Sequence, residues 1–354
     1  MKNWKAALAA SVSLALYAAH AVAQQRPQQP PRIVAEDAMV PSGEAGIEIY
    51  VRNKHLAEMA AGVPGRTLVF VHGATYPAST AFDLPLGGTS FMDDLAEHGF
   101  DVYLLDLPGY GKSSRPAAMG QLAEANAPVE TTEDAVRHYG TVVNYVLKRR
   151  GLQKLDVMGW SWGTTIAAGF AAAQPQKVER LVLYAPVWIV QGEAVALGGG
   201  GKLGAYRAVS SDSARQRWLT GVAVDKQAAL IPEGWYDAWQ KATWATDPVG
   251  AAQNPPVLRA PNGVIQDLRS YWMSGKATYD PGKITAPTLL VQGEWDHDTP
   301  PYMAQTLFPL IANAPWKRYV ELGEGTHTIM MEKNRRQLFA VVEGFLLLPD
   351  PAAP

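Results

Sequence analysis

The chain of 354 residues contains no cysteine. Disulfide bonds, cysteine-ligated metals and a cysteine nucleophile are therefore excluded. The sequence also has little excess charge, with a formal net charge of -2, and it has no basic run. This balance argues against nucleic acid as a partner. Metal-ligand spacing occurs only in the short Asp296-His297-Asp298 segment, and a catalytic role for Asp296 accounts for it. We therefore expect no metal and no other cofactor.

Long hydrophobic segments are also missing, because the apolar run at residues 6–19 is too short to span a bilayer. It follows two lysines and leads to Ala21-Val22-Ala23, a pattern typical of signal-peptide cleavage. We predict a signal peptide over 1–23, an exported protein that is periplasmic or extracellular, and no stable membrane insertion after cleavage. The alternative is an N-terminal membrane anchor. Residues 24–35, which begin with a Gln- and Pro-rich stretch, are predicted to form a disordered tether.

Strand and helix patterns alternate along the remaining chain, which indicates an α/β fold. We predict a mostly parallel eight-stranded sheet with helices on both faces. Thr67–Val71 is a continuous apolar run, as expected of a buried central strand. The predicted strands are 47–51, 67–71, 102–105, 155–158, 181–184, 288–292 and 317–322. The predicted helices are 91–98, one that is capped by Thr131 or Thr132 and ends at Arg150, 164–174 and 335–347.

This alternation stops between Pro186 and about Lys283, a stretch that holds six of the eleven tryptophans. We interpret 187–283 as an inserted helical cap, with 36–186 and 284–354 forming the α/β core. Ordinary helical core is the alternative. Gly198–Gly201 lacks the spacing and preceding strand of a phosphate-binding loop, so we interpret it as a cap loop.

The sequence Gly159-Trp160-Ser161-Trp162-Gly163 lies between a predicted strand and a predicted helix. A serine in this sharp turn projects above the sheet at a helix N-terminus, where an oxyanion is favoured. We predict that Ser161 is a nucleophile. The backbone amides of Trp162 and Ala74 are the predicted oxyanion hole, because Ala74 follows His72-Gly73 at the end of another strand. His72 is interpreted as a structural residue of that loop.

A serine hydroxyl needs a base, and the base needs an orienting acid. When the serine stands in such a turn, the acid and then the histidine follow it in the chain. His327 lies in a loop between the last strand and the last helix, so it is the predicted base. Asp296 follows the strand 288–292 and is the predicted acid. Asp298 is the competing choice, and Glu294 is a weaker one.

The substrate-binding residues are predicted from their positions beside these groups. Tyr76 follows the oxyanion loop, Trp160 precedes the serine, and Trp188 begins the cap. The orientation of Tyr76, into the pocket or toward solvent, stays open at this point.

These segments together resemble the α/β-hydrolase superfamily across almost all of the mature chain, in particular cap-bearing serine esterases and lipases. The matching parts are His72-Gly73, residues 106–113, the Ser161 turn, residues 293–296 and residues 325–327. The resemblance implies a Ser161–His327–Asp296 triad and an acyl-enzyme. Ser161 differs from the aspartate that haloalkane dehalogenases and epoxide hydrolases carry there. Residues 161–164 are similar to the corresponding stretch of proline iminopeptidases, whereas residues 72–75 depart from their oxyanion loop.

The main prediction is a carboxylic ester hydrolase acting on a compact apolar or aromatic small-molecule ester. The alternatives that use the same triad are a C–C bond hydrolase acting on a β-diketone and an aminopeptidase similar to proline iminopeptidases. A non-catalytic binding protein with the same fold is the third hypothesis, and it would be favoured by the loss of a triad residue. No triad residue is missing from the sequence.

Overall fold

The computed structural model describes residues 32–60, 62–192 and 201–349. The predicted signal peptide 1–23, the predicted tether up to residue 31 and most of the glycine run at 198–201 lie outside these residues and stay predictions. N-terminal sequencing of the mature protein would test cleavage after Ala23. Within the described ranges, no helix combines the length and the apolar character that crossing a membrane requires.

Eight strands form the central sheet in the order β1-β2-β4-β3-β5-β6-β9-β10, and β7 pairs with β8 in a separate two-stranded sheet. The strands are β1 Ile33–Pro41, β2 Glu48–Leu56, β3 Thr67–Val71, β4 Asp101–Asp106, β5 Leu155–Trp160, β6 Val178–Tyr184, β7 Tyr206–Ser210, β8 Val257–Pro261, β9 Thr288–Gly293 and β10 Lys317–Leu322.

The strands from β4 to β10 in this order are parallel to their neighbours, whereas β2 is antiparallel to both β1 and β4. The carboxyl ends of β3, β5, β9 and β10 therefore meet at one edge of the sheet. Parallel α/β sheets bind their ligands at this edge. The predicted fold class is confirmed.

Helices flank the sheet and fill the segment between β6 and β9. They are α1 Ala78–Ala81, α2 Phe91–Glu97, α3 Thr132–Arg150, α4 Trp162–Ala173, α5 Ser211–Leu219, α6 Val224–Leu230, α7 Trp235–Trp244, α8 Pro248–Ala251, α9 Gly263–Ser270, α10 Pro301–Leu310 and α11 Arg335–Leu347.

Two apolar layers cover the two faces of the sheet, and β3 contributes to both. Val69 and Val71 pack in the layer that contains residues of α3, α4 and α10. Leu68 and Phe70 pack in the layer that contains residues of α2 and α11. Because successive side chains of a strand point to opposite faces, a strand covered on both sides has no polar positions. This explains the uninterrupted apolar sequence of β3.

The helix ends follow from local sequence. Ser90 begins α2 and Thr131 begins α3, and each forms a reciprocal capping box with an aspartate three residues later. Gly151 ends α3 in a left-handed conformation with φ 68°, which glycine adopts at little cost.

The N-terminal edge of the sheet differs from the prediction. β1 begins at Ile33, inside the segment 24–35 that was predicted to be a tether, and pairs with β2 along its whole length. Its side chains are mostly exposed or half-buried. An edge strand covered on one side has a weak apolar pattern, and pairing with β2 supplies the missing stabilisation.

The segment between β6 and β9 contains α5 to α9. It also contains the antiparallel strand pair β7–β8, which was not part of the predicted helical cap. Its aromatic residues pack on one another: the Trp239 ring lies 5.1 Å from that of Trp218 and 6.0 Å from that of Trp244. Trp239 also contacts Tyr76 of the core at 4.8 Å. Much of the tryptophan content therefore stabilises this segment and its contact with the core.

Candidate active site

Ser161 stands in a strained turn between β5 and α4. Its φ of 57° and ψ of -126° lie in a region that residues with a side chain rarely adopt. The turn is fixed because the Ser161 amide donates to the carbonyl of Tyr184 on β6 at 2.9 Å. Strain of this kind persists where the surrounding structure determines it, commonly at functional sites.

Three glycines make room for this turn. A Cβ on Gly159 would lie 2.0 Å from the Gly163 carbonyl oxygen, and one on Gly163 would lie 2.5 Å from the Val71 carbonyl oxygen. A Cβ on Gly73 would lie 2.7 Å from the Cβ of Ser161. Each of these glycines is therefore required by close packing around the serine.

His327 and Asp296 are joined at the same edge of the sheet. The Nδ1 atom of His327 lies 2.9 Å and 3.1 Å from the two carboxylate oxygens of Asp296. Thr299 donates to Asp296 through its amide at 2.8 Å and through its hydroxyl at 3.0 Å. These bonds hold a buried carboxylate against the ring, so Nδ1 carries the proton and Nε2 is the acceptor.

The loop of His327 is also tied to the strand that carries the serine. The Trp160 indole and the Tyr184 phenol both donate to the main-chain carbonyl of His327, at 2.9 Å and 2.7 Å. Among the described residues, no side chain hydrogen-bonds the Ser161 hydroxyl. Proton transfer therefore needs a closer approach of ring and hydroxyl, as is common before a substrate is bound.

Two opposing effects determine the pKa of His327. Burial would lower it, but the attraction and hydrogen bond of Asp296, together with the charge of Asp298, raise the pKa above its usual value. A raised pKa means that the carboxylates stabilise the imidazolium, which is the form that a general base acquires during the reaction.

Neither of the other two candidate acids contacts Nδ1 of His327. Glu294 is exposed and accepts a hydrogen bond from the amide of Glu324. Asp298 faces the opposite side of the imidazole, with an oxygen 4.0 Å from Nε2 of His327. The structure thus brings Asp296, rather than its two competitors, to Nδ1.

The predicted oxyanion loop is fixed by His72. This buried ring accepts a hydrogen bond from the Leu107 amide at Nε2 and donates from Nδ1 to the Gly73 carbonyl. Burial lowers its pKa, which keeps it neutral. The structural interpretation of His72 is confirmed. The amides of Ala74 and Trp162 make no hydrogen bond to another described residue, so both are available to an oxyanion.

An arginine from the segment between β6 and β9 holds the next residue of this loop. Thr75 has a φ of 85°, which is unusual for a β-branched residue. Its hydroxyl accepts a hydrogen bond from Arg207 of β7, which also donates to the Pro261 carbonyl at 2.6 Å. Within the described ranges no carboxylate pairs with Arg207. Its contacts thus favour a role in fixing the strained loop beside Ala74.

Replacing Arg207 with methionine is expected to lower kcat by about 10- to 100-fold, because small displacements of an oxyanion donor are costly. The exposed Arg215 on α5 offers a matched control, and its methionine variant should keep the wild-type rate. Steady-state kinetics at constant pH would test this. Equal rates for the Arg207 variant and the wild type would exclude the role.

Two cavities that share lining residues lie beside the groups described above. The serine cavity, of about 190 Å³, is bordered by Ser161, Trp162 and Ala74. Its apolar walls come from Val187, Val190, Val264, Ile265, Leu268, Trp272 and Met303. The histidine cavity, of about 20 Å³, is bordered by His327, Ala74, Tyr76 and Trp160. Arg217 and Asp298 border both cavities.

The predicted substrate-binding residues divide between these spaces and the core. Tyr76 and Trp160 border the histidine cavity. Trp188 was predicted to bind substrate, but in the described part of the chain it borders neither cavity. It is 6% exposed and packs against Tyr279, with ring centroids 5.5 Å apart. That prediction is corrected: Trp188 packs in the core.

Three residues near the site were not predicted from the sequence. Thr299 could have been found, because a threonine three residues after an aspartate commonly hydrogen-bonds it in a turn. Arg217 and Arg207 carry no such local signal, because they reach the site from a distant part of the chain.

One group of potential metal ligands is present among the described residues: Asp94, His98 and Glu343. Asp94 is already paired with Arg336. This carboxylate therefore has a cationic partner, and we assign no metal to the group.

The model of the alpha/beta hydrolase fold family matches residues 66–334 of the chain. Among the relatives, 2-hydroxy-6-oxononadienedioate/2-hydroxy-6-oxononatrienedioate hydrolase of Cupriavidus pinatubonensis is 26% identical over 72% of this chain and 78% of that enzyme. A 2-hydroxymuconate semialdehyde hydrolase of Pseudomonas putida is 28% identical over 87% of this chain and 96% of that enzyme. Further matches to enzymes bearing the first name span 35% to 45% of their length.

Among solved structures, 2-hydroxy-6-oxo-6-phenylhexa-2,4-dienoate hydrolase from Rhodococcus sp. strain RHA1 is similar, with a TM-score of 0.57 and 14% identity. The similarity covers 89% of this chain and 99% of that one. At this identity, the likeness supports the fold alone.

Proposed function

Since the chain belongs to the alpha/beta hydrolase fold family, we propose that it is a serine-dependent C–C bond hydrolase that cleaves a diketone or a vinylogous diketone. The observation that carries this proposal is the likeness, over most of the chain, to two enzymes named for hydrolysing oxo acids and a semialdehyde. A ketone in a 2-hydroxy-6-oxo carbon chain has no ester oxygen beside it, so hydrolysis at that ketone breaks a C–C bond.

The prediction of a carboxylic ester hydrolase is wrong as the main activity. The two relatives that cover most of the chain are named for oxo-acid and semialdehyde hydrolysis, and neither is named an esterase or an aminopeptidase. The error has a chemical origin, because the same nucleophile and oxyanion hole can serve ester, amide and ketone acyl donors alike. The C–C bond alternative is the one that these relatives favour.

In the proposed mechanism, the Ser161 hydroxyl attacks the substrate carbonyl and its proton passes to Nε2 of His327. The Ala74 and Trp162 amides stabilise the resulting oxyanion, at about 3 kcal/mol for each donor. Asp296 stabilises the imidazolium on its Nδ1 side. Ser161, His327 and Asp296 thus act as the nucleophile, the base and the orienting acid.

Collapse of the tetrahedral intermediate then breaks the bond from the carbonyl carbon to the neighbouring carbon. The departing electron pair is delocalised onto the second carbonyl, giving an enolate, and Nε2 of His327 returns the proton to carbon. Water, activated by the same nitrogen, hydrolyses the acyl-enzyme. One water is consumed, giving one carboxylic acid and one ketone.

Arg217 supports this type of cleavage over ester hydrolysis. A carbon leaving group needs stabilisation as an enolate, which an alkoxide leaving group does not. Arg217 borders both cavities and donates from Nε to Asp298. Its two terminal nitrogens make no hydrogen bond to another described residue, so they can donate to an enolate or carboxylate oxygen.

The proposal is tested by offering the purified protein 2-hydroxy-6-oxo-6-phenylhexa-2,4-dienoate, a simple β-diketone and the p-nitrophenyl ester of the same acyl group. We expect the highest kcat/KM for one of the two ketones. In D₂O, the product that leaves as the enolate should carry one deuterium on the carbon of the broken bond. In H₂¹⁸O, the carboxylic acid product should gain one labelled oxygen. Faster turnover of the ester than of either ketone would contradict the proposal.

A further inference from the structure

His327 lies between two carboxylates rather than beside one. Asp296 hydrogen-bonds Nδ1, while an oxygen of Asp298 lies 4.0 Å from Nε2. Both follow β9, and the Asp298 side chain is 11% exposed. Nε2 is the nitrogen that exchanges protons in the proposed function, so Asp298 faces the working side of the ring.

Arg217 holds the Asp298 carboxylate in this position. The Nε atom of Arg217 donates to both Asp298 oxygens, at 2.9 Å and 2.8 Å. Burial would raise the pKa of Asp298, but the charges of Arg217 and His327 hold it below the usual value, so the group is an anion. Because Arg217 belongs to α5, a residue outside the core sheet positions a charge beside the histidine.

The other groups near the histidine include one more buried carboxylate, Glu332, which accepts hydrogen bonds from Thr326 and Thr328 rather than from the ring. Burial raises the pKa of Glu332, which disfavours its charged form. Trp160 and Tyr184 contact the main-chain carbonyl of His327, and burial raises the pKa of Tyr184 far above neutrality, so its phenol is uncharged. The hydroxyls of Ser161 and Thr299 are neutral at working pH. His297 is exposed and acts on Asp298 rather than on the ring.

Resting on the proposed function, we propose that Asp298 is a positioning residue that strengthens His327 as a base, with Arg217 as its counter-charge. At 4 Å, a unit negative charge raises the pKa of a cationic acid by about one pH unit even when water-like screening applies. Arg217 acts in the opposite direction, because its positive charge disfavours the imidazolium.

The arrangement couples substrate binding to proton transfer. An enolate or carboxylate oxygen that binds the terminal nitrogens of Arg217 offsets the positive charge near the ring. The opposition to the imidazolium then falls while Asp298 remains in place. His327 therefore becomes a stronger base when an anionic substrate occupies the site.

The test is a titration of the His327 ring by NMR in the full chain without substrate, with the signal assigned by its loss in a His327→Gln variant. Asp298→Asn should lower the pKa by about one pH unit. Arg217→Met should raise it, because the opposing charge is removed. Glu294→Gln, an exposed carboxylate of the same loop, is the matched control and should not move it.

The acid limb of kcat/KM should move in the same direction as each titration, and the plateau rate of Asp298→Asn should fall by roughly threefold, because the rate of general-base catalysis depends only partly on the pKa of the base. An unchanged His327 pKa in Asp298→Asn overturns the proposal, as do shifts of the same sign in both variants. A failure to cleave ketones would leave the NMR titration unaffected, so it would overturn the proposed reaction and not the charge arrangement.

Discussion

Replacing Ser161 with alanine is expected to lower kcat for ketone cleavage by roughly 10⁶-fold, as the loss of a serine nucleophile does in other triads. Without the hydroxyl, no acyl-enzyme can form. The loss should appear in kcat rather than in KM, because the cavity walls and the oxyanion amides remain. Single-turnover and steady-state kinetics on the best ketone would measure both quantities.

The alanine variant should fold as the wild type does. The Ser161 hydroxyl makes no hydrogen bond to another described residue, and alanine meets the same strain at φ 57°. Thermal unfolding would verify this, and Ser274→Ala at an exposed serine is a suitable control. If the Ser161 variant kept most of its rate, a water activated directly by His327 would have to be the nucleophile.

Replacing Asp296 with asparagine should lower kcat by about 10⁴-fold. The carboxylate accepts a hydrogen bond from Nδ1–H of His327 and two more from the amide and hydroxyl of Thr299. An asparagine amide would favour the wrong tautomer and would not stabilise the imidazolium. The His327 pKa should fall, because its largest favourable contact is a charge, and NMR titration measures that fall.

The comparison with Asp298 makes this prediction specific. Asp298→Asn should retain far more activity than Asp296→Asn, since it faces Nε2 without hydrogen-bonding the ring. Equal losses in the two variants would mean that the two carboxylates share the role of acid. Retention of full activity by Asp296→Asn would exclude it as the orienting group.

The parts of the fold that the sequence predicts well are those determined by neighbouring residues. β3 and α11 have the predicted bounds, because a strand covered on both faces is a continuous apolar run and an amphipathic helix has its own apolar period. The turn at Ser161 was predictable for a similar reason. The demand for glycine at 159 arises within five residues, because a Cβ there would meet the carbonyl of Gly163.

The parts that could not be predicted depend on pairing between distant residues. β7 and β8 are five residues each and become a sheet only by joining Tyr206 to Pro261. Arg217 meets Asp298 across an even longer separation of 81 residues. No periodicity in one segment contains information about its partner, and the same reason explains why Trp188 was wrongly placed in the substrate pocket.

The sequence favoured an ester over the proposed ketone for a chemical reason. Ser161, His327 and the two oxyanion amides specify attack on a carbonyl but not the atom that leaves. In the proposed function that atom is selected by the groups that meet the leaving fragment, and Arg217 is a cationic residue that borders both cavities. We therefore expect a residue with no local motif to favour carbon over oxygen as the leaving atom.

β10 is the last strand in the sequence as well as the outer strand of the sheet, and this determines the order in which the parts of the site are synthesised. The chain emerges from the ribosome with its nucleophile long before its base, because His327 follows the last strand. A nascent or truncated chain that lacks β10 has the serine turn without the histidine. If His327 acts as the proposed base, turnover therefore requires synthesis of the chain beyond β10, and its onset would report that the loop between β10 and α11 is in place.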